Sequence, residues 1–308
     1  MSKGSGIPDH GSERGKALEG VGEAIYVRTD LACESPLSAR AETSEQVEAG
    51  VAPVTITRRL EADGAHSVTL SFGSFTSRGE GDIPMLSSLL AKELRRMATA
   101  LLGRETDGDC RVLVVGLGNR HMTPDAIGPE VIRRLTVTRH LKEFHPALFA
   151  ALGCCEIAAL SPGVLGETGM ESGELVRCAV ELIHPDLVVA VDALAARSVE
   201  RLSATVQISD GGIAPGAGIG NHRMALDRET LGCPVMSLGV PTVVDSSTLV
   251  CDALAQAGMR EEAWPDSLRD VLARGRSFIV SPKDCDEAVE LAARILARGL
   301  DEAFGVGE

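Results

Sequence analysis

Two aspartates stand where a carboxylate can do chemistry. Asp125 ends the run Gly116-Leu-Gly118-Asn-Arg-His-Met-Thr-Pro-Asp125, which comes after the apolar stretch starting at Val112. Asp192 closes the apolar run Leu187-Val-Val-Ala-Val and opens Asp192-Ala-Leu-Ala-Ala-Arg197. Taken singly, each reads equally well as a helix cap, because an Asp before a helix accepts hydrogen bonds from the free N–H groups of the first turn. Taken together, both fall at the C-terminal ends of buried strands, where open α/β sheets bind their ligands. Two carboxylates across one water can share the work of hydrolysis. The ionised one takes a proton from the water, and the protonated one polarises the carbonyl or protonates the leaving nitrogen. The same pair could instead hold a divalent metal.

Other residues could assist. Asn119 follows the glycines after the first strand. Gly218, Asn221 and His222 lie in the Gly-rich stretch Ser209 to Arg223, and Asp245 ends Gly239-Val-Pro-Thr-Val-Val-Asp245. A loop this rich in glycine either wraps a backbone closely or is a plain surface loop. Asp245 also reads as the cap of the helix after it. A dinucleotide fingerprint fails, because His121 stands where its third Gly should be. No Gly-x-Ser-x-Gly, His-Glu-x-x-His or Cys-x-x-Cys pattern occurs.

The elements that must hold these residues can be read from the hydropathy pattern. Val112 to Leu117, Leu187 to Val191 and Val235 to Gly239 are short apolar runs, the signature of strands buried on both faces of a parallel sheet. Helices are expected over about 125–135, 173–183, 193–201, 246–257 and 283–297. Ahead of this core, Val54 to Thr57 and Ser67 to Phe72 alternate around an Asp63-Gly64 turn signal, which predicts a β-hairpin. A helix is expected next, from about Met85 to Leu102. Residues 1 to about 50 read as irregular. The expected organisation is a flexible N-terminal pro-segment over 1–25 and a single α/β domain over 26–308. Within that domain, 51–105 is a hairpin-and-helix elaboration and 111–300 is the core.

Composition narrows the function. The 308 residues carry a net charge of −14, which opposes direct contact with nucleic acid or anionic membranes. No apolar run is long enough for a membrane helix, and the polar N-terminus lacks a signal peptide, so a cytoplasmic protein is expected. In that setting the eight cysteines are read as reduced thiols.

Read in order, these segments resemble the germination (spore) protease family. The likeness runs through Tyr26-Val-Arg-Thr-Asp-Leu-Ala32, Val115-Gly-Leu-Gly-Asn119 with Thr123-Pro-Asp-Ala-Ile-Gly-Pro129, and Val137-Thr-Arg-His-Leu141. It continues through Pro162-Gly-Val, Val191-Asp-Ala-Leu-Ala-Ala-Arg197, Gln207-Ile-Ser-Asp210, Pro215-Gly-Ala-Gly-Ile-Gly-Asn221 and Gly239 to Asp245. The core also resembles the hydrogenase-maturation endopeptidases. The resemblance implies a three-layer α/β sandwich around a mostly parallel sheet, of the hydrogenase-maturation-protease and phosphorylase-like kind, with an N-terminal β-hairpin elaboration. It implies an atypical aspartic-type endopeptidase whose catalytic residues are Asp125 and Asp192; no cofactor or metal is expected. Its substrates would be small acid-soluble spore proteins, degraded in the spore core during germination. A self-processed zymogen and a homotetramer are also implied. Where the family typically has Lys after the Gly-Asn of the Gly-rich loop, this chain has His222. The rival readings are a metal-dependent maturation-type endopeptidase using Asp125, Asp192 and His222, and a non-catalytic oligomeric binding protein on the same fold.

Overall fold

The structure, a computed structural model, describes residues 29–34, 39–214, 224–260, 263–273 and 278–306. The segment 1–25, expected to be a pro-segment, lies outside the described residues, as do Gly218, Asn221 and His222.

The described strands are β1 (Ala41–Val47), β2 (Val54–Leu60), β3 (His66–Ser71), β4 (Arg111–Gly116), β5 (Glu156–Leu160), β6 (Leu187–Ala196), β7 (Thr205–Ser209), β8 (Val235–Asp245) and β9 (Ile279–Val280). They form one sheet in the order β1-β2-β3-β7-β8-β6-β4-β5, with β9 on the end of β8. β5, β4, β6 and β8 are mutually parallel and make the core. β7, β3, β2 and β1 continue it as an antiparallel wing. The predicted hairpin is therefore β2 and β3, joined directly to the core sheet through β7.

The described helices are α1 (Ile83–Leu102), α2 (Ile127–Arg134), α3 (Arg139–Phe144), α4 (Pro146–Leu152), α5 (Leu165–Thr168), α6 (Ser172–Ile183), α7 (Arg228–Leu231), α8 (Ser246–Gln256), α9 (Asp266–Ala273) and α10 (Cys285–Ala303). They complete three layers. On one face, α1, α2 and α10 cover Val112, Val114, Val189, Val191, Leu238 and the inward residues of the wing, such as Ile56 and Leu70. On the other face, α6 and α7 cover Leu113, Val115, Val188 and Ala190. Strand alternation sorts the two sets, and each fully buried Val or Leu contributes about 1.5–3 kcal/mol. Among the described residues the wing has no second apolar layer. Its other face carries Thr57, Arg59, Ser67, Thr69, Thr205 and Gln207, which is the alternation read from sequence.

Three expectations are corrected. Residues 41–47 are not irregular but form β1, paired along its whole length with β2. Its sequence, Ala-Glu-Thr-Ser-Glu-Gln-Val, is almost wholly exposed and so shows no hydrophobic period. The stretch 193–201 is not a helix. β6 runs on to Ala196, because Ala193 to Ala196 pair with β8 from Val240 to Val244, and only Val199–Arg201 makes a 3₁₀ turn. Helix propensity from the alanines loses to a ladder that the neighbouring strand completes. β8 likewise extends past Gly239 to Asp245. All eight cysteines are free thiols, as expected.

Two polar fasteners hold the frame. The Arg78 side chain is 3% exposed and donates to the carbonyl oxygens of Phe72, Ala49, Ala52 and Pro53. Asp186 ties the starts of β4 and β6, accepting from the Arg111 backbone N–H at 2.8 Å and facing the Arg111 and Arg104 guanidinium groups. Burial alone would push the Asp186 carboxyl up, but the Arg111 N–H and the two arginines outweigh it and hold it below the ordinary carboxylate value.

Arg78→Met should destabilise the fold by about 3–5 kcal/mol in urea unfolding, since it removes four hydrogen bonds at once and strands the buried carbonyls of Phe72 and Ala49. Asp186→Asn should lose stability chiefly above pH ~4, the unfolded Asp value. A depressed folded pKa stabilises only where the unfolded group is ionised. The gap to the parent protein should therefore close as pH falls through the folded pKa, as read from unfolding midpoints against pH.

Candidate active site

Asp125 is positioned by the tight turn at the end of β4. There a side chain on Gly116 would overlap the backbone of Gly128, and one on Gly128 would overlap Leu117. Gly118 has φ +107°, and a side chain there would overlap the Asp125 carbonyl oxygen. The glycines therefore let the chain approach its own backbone, so that β4 runs straight into the turn before α2. The Asn119 N–H donates to both the carbonyl oxygen and Oδ2 of Asp125, each at 2.9 Å. Asn119 Oδ1 in turn accepts from the His121 N–H at 2.9 Å, an Asx turn. Asp125 is thus not the cap of α2. That position is Ala126, whose side chain makes no cap.

Asp192 sits inside β6, five residues into a ten-residue strand. It is not at the end of its own strand, but it is at the end of its neighbour. The β4–β6 ladder stops at Gly116 opposite Val191, and the Leu117 N–H still donates to the Val191 carbonyl at 2.8 Å. The next residue of β6 is Asp192, 5% exposed, with Oδ1 accepting from the Ala193 N–H at 2.9 Å. The 3₁₀ turn Thr123–Asp125 packs against both β6 and β8. The connection that leaves β4 carries α2 on one face of the sheet, and the connection that returns from β5 to β6 carries α6 on the other. The turn bearing Asp125 and the β6 position of Asp192 thus both adjoin the C-terminal end of β4, the edge of the sheet where such folds place their sites.

Strand alternation puts Asp192 on the α6 face, between the cluster of Val188 and Ala190 and the cluster of Leu194 and Ala196. Ile213 packs against both clusters and bridges Leu226. The neck of the Gly-rich loop therefore stands over the Asp192 face, although its residues 215–223 lie outside the described ones.

Asp245 is where sequence put one of its two readings. It caps α8, accepting from the N–H groups of Ser247 and Thr248 at 2.9 and 3.2 Å. Among the described residues no three His, Cys, Asp or Glu side chains gather as a metal site. A cavity of about 280 Å³, lined by Arg58, Glu93, Arg96 and Asp210 among others, lies under the wing, and neither Asp125 nor Asp192 lines it.

Sequence reasoning passed over the residues that brace β6 around Asp192. The strap Thr29–Glu34 lies along β6 and β7. Asp30 and Ala195 exchange hydrogen bonds, from Asp30 N–H to Ala195 O and from Ala195 N–H to Asp30 Oδ2. Gln207, level with Asp192 through Gly239, accepts from the Ala32 N–H at 2.6 Å and donates to the Asp30 carbonyl. Leu31 fills the space against Leu194 and Ala196. Glu34 accepts from the N–H groups of Arg197 and Ser198. The one signal for the strap is the motif Tyr26 to Ala32; nothing in its spacing reveals that it lies on β6.

A parallel α/β core with acidic residues beside the C-terminal end of a central strand has the layout of an open α/β enzyme. The family model for germination protease matches residues 58–257. A germination protease of Clostridium perfringens is 36% identical over an alignment covering 90% of this chain and 95% of that protein. One from Clostridium acetobutylicum is 39% identical, covering 80% of each. The chain belongs to the germination protease family, and it is a protease. Among solved structures, a NiFe hydrogenase maturation protease of Thermococcus kodakarensis aligns with a TM-score of 0.33 and 19% identity, over 63% of this chain and 94% of that one. Among the described residues no helix is long and apolar enough to cross a membrane.

Gly118→Ala should lower peptidase kcat about tenfold or more, because the added methyl displaces the backbone that carries Asp125. Steady-state kinetics on folded protein checks this; unchanged kcat would mean that the turn is not what sets Asp125.

Proposed function

We propose that this protein is an aspartic-type endopeptidase that begins the breakdown of small acid-soluble spore proteins during germination, with Asp125 and Asp192 as its catalytic pair. The observation that carries the reading is the hydrogen bond from Leu117 N–H to Val191 O, which joins the two segments bearing these acids one residue before Asp192. Membership of the germination protease family supports the substrate class.

In this mechanism an extended substrate chain enters the crevice beyond β4. The ionised carboxylate of the pair removes a proton from a water, and that water attacks the scissile carbonyl carbon. The protonated partner donates its proton to the carbonyl oxygen; the carboxyl that took the water's proton then passes it to the departing amide nitrogen as the C–N bond breaks, and the partner takes back a proton from the diol as the new carboxyl forms. Two close carboxylates share one proton because the second ionisation faces the charge of the first. No cofactor or metal takes part. Asn119 shapes the turn of Asp125. Gly218, Asn221 and His222 supply substrate contacts from the Gly-rich loop, and Asp245 supports the far end of β8. The chain is made as a zymogen whose N-terminal segment is removed by self-cleavage, and it works as a homotetramer in the cytoplasm of the spore core.

Purified protein is assayed on a small acid-soluble spore protein. Asp125→Asn and Asp192→Asn should each reduce kcat by about 10²–10⁴-fold, while chelator leaves the parent enzyme unaffected. Full activity in both folded variants would sink the pair. Chelator inhibition reversed by added metal would replace the water-only mechanism with metal-assisted hydrolysis.

A further inference from the structure

β8 carries one residue more than its pairing with β6 uses. Leu194 faces Pro241 and Ala195 faces Val243, so Thr242 has no partner on β6. Such a bulge re-aims the extra side chain out of the ladder's alternation. Thr242 is 1% exposed, and its hydroxyl donates to the carbonyl oxygen of Pro124 at 2.5 Å. Pro124 immediately precedes Asp125 and has no N–H, so its carbonyl is the only backbone group by which it can be hydrogen-bonded. The 3₁₀ turn bearing both residues packs on β6 and β8. On the opposite side of the same bulge, Ala195 turns its N–H to the Asp30 carboxylate.

We infer that Thr242 is a positioning residue for Asp125. Its hydroxyl pins the Pro124–Asp125 peptide to β8, the strand hydrogen-bonded to the one that carries Asp192. The glycines hold the turn from the β4 side, and Thr242 holds it from the β8 side. The spacing of the two acids is then set by the sheet itself. The inference rests on the catalytic reading of Asp125. It goes beyond that reading because Thr242 touches no reacting atom and acts only through the peptide it holds.

The test compares Thr242→Val, which keeps the shape and removes the hydroxyl, with Thr242→Ser, which keeps the hydroxyl. Asp125→Asn is run beside them on the same spore-protein substrate. Thr242→Val should lower kcat about 10–100-fold with KM within about twofold, as a turn displaced by a fraction of an ångström would. Thr242→Ser should stay close to the parent. Parent-like kcat in the Val variant, or equal losses in Val and Ser, would overturn the inference. If Val does not fold, Ser is compared with Thr242→Ala, which adds no atom. A Ser-to-Ala kcat ratio of about ten or more supports the hydroxyl's role, and a smaller ratio overturns it. Full activity in Asp125→Asn would instead remove the catalytic reading beneath it, so the two failures are told apart.

Discussion

Hydrogen is the only side chain that fits at Gly116, Gly118 and Gly128, and the placement of Asp125 depends on this constraint. With no Cβ in the way, the end of β4 lies against the first turn of α2. The loop between them folds back until one N–H, that of Asn119, serves both oxygens of Asp125 that face it. The same closeness leaves the Leu117 N–H directed at Val191, so the two acid-bearing segments meet through the backbone. Backbone joints of this kind are stiff, and a stiff joint suits chemistry that tolerates little displacement.

The two faces of the sheet take different roles around this joint. One is a continuous apolar floor under α1, α2 and α10, where Gly299 lets α10 lie closely on Leu90 of α1. The other changes character along its width. It is apolar beneath α6 and polar along the wing, and Asp192 stands where the one gives way to the other. The strap Thr29–Glu34 closes part of the polar side. It satisfies the side chain of Gln207 and the free backbone of β6, and it places Leu31 over Leu194 and Ala196. The buried amide of Gln207 and the outer backbone of β6 are therefore answered by the strap, which links its placement to that of the β6 segment around Asp192.

Much of the parallel core was legible because its strands are buried on both faces. Continuous runs such as Val112 to Val115 and Leu187 to Val191 have few other uses in a chain of this composition. The hairpin was legible for the opposite reason: β2 and β3 are apolar on one face only, and they alternate around an Asp-Gly turn. β1 left no trace, since an edge strand exposed on both faces needs no hydrophobic period. The alanines after Asp192 misled, because local propensity favours a helix there while pairing with β8 and Asp30 holds them extended.

By itself the sequence determined which residues carry acid, which runs are buried, and that Asp125 and Asp192 both lie near the C-terminal edge of a sheet. The tertiary structure decided the rest. Asp192 is inside its strand and marks the end of β4 instead, and Asp125 is fastened by its own turn and is no helix cap. Thr242, Asp30 and Gln207 became visible only in the fold. Each makes its bond to a segment more than a hundred residues away, or through a bulge that exists only when two strands are counted against each other. Periodicity reports the environment of a residue along its own element. It carries no information about which distant backbone that residue will hold.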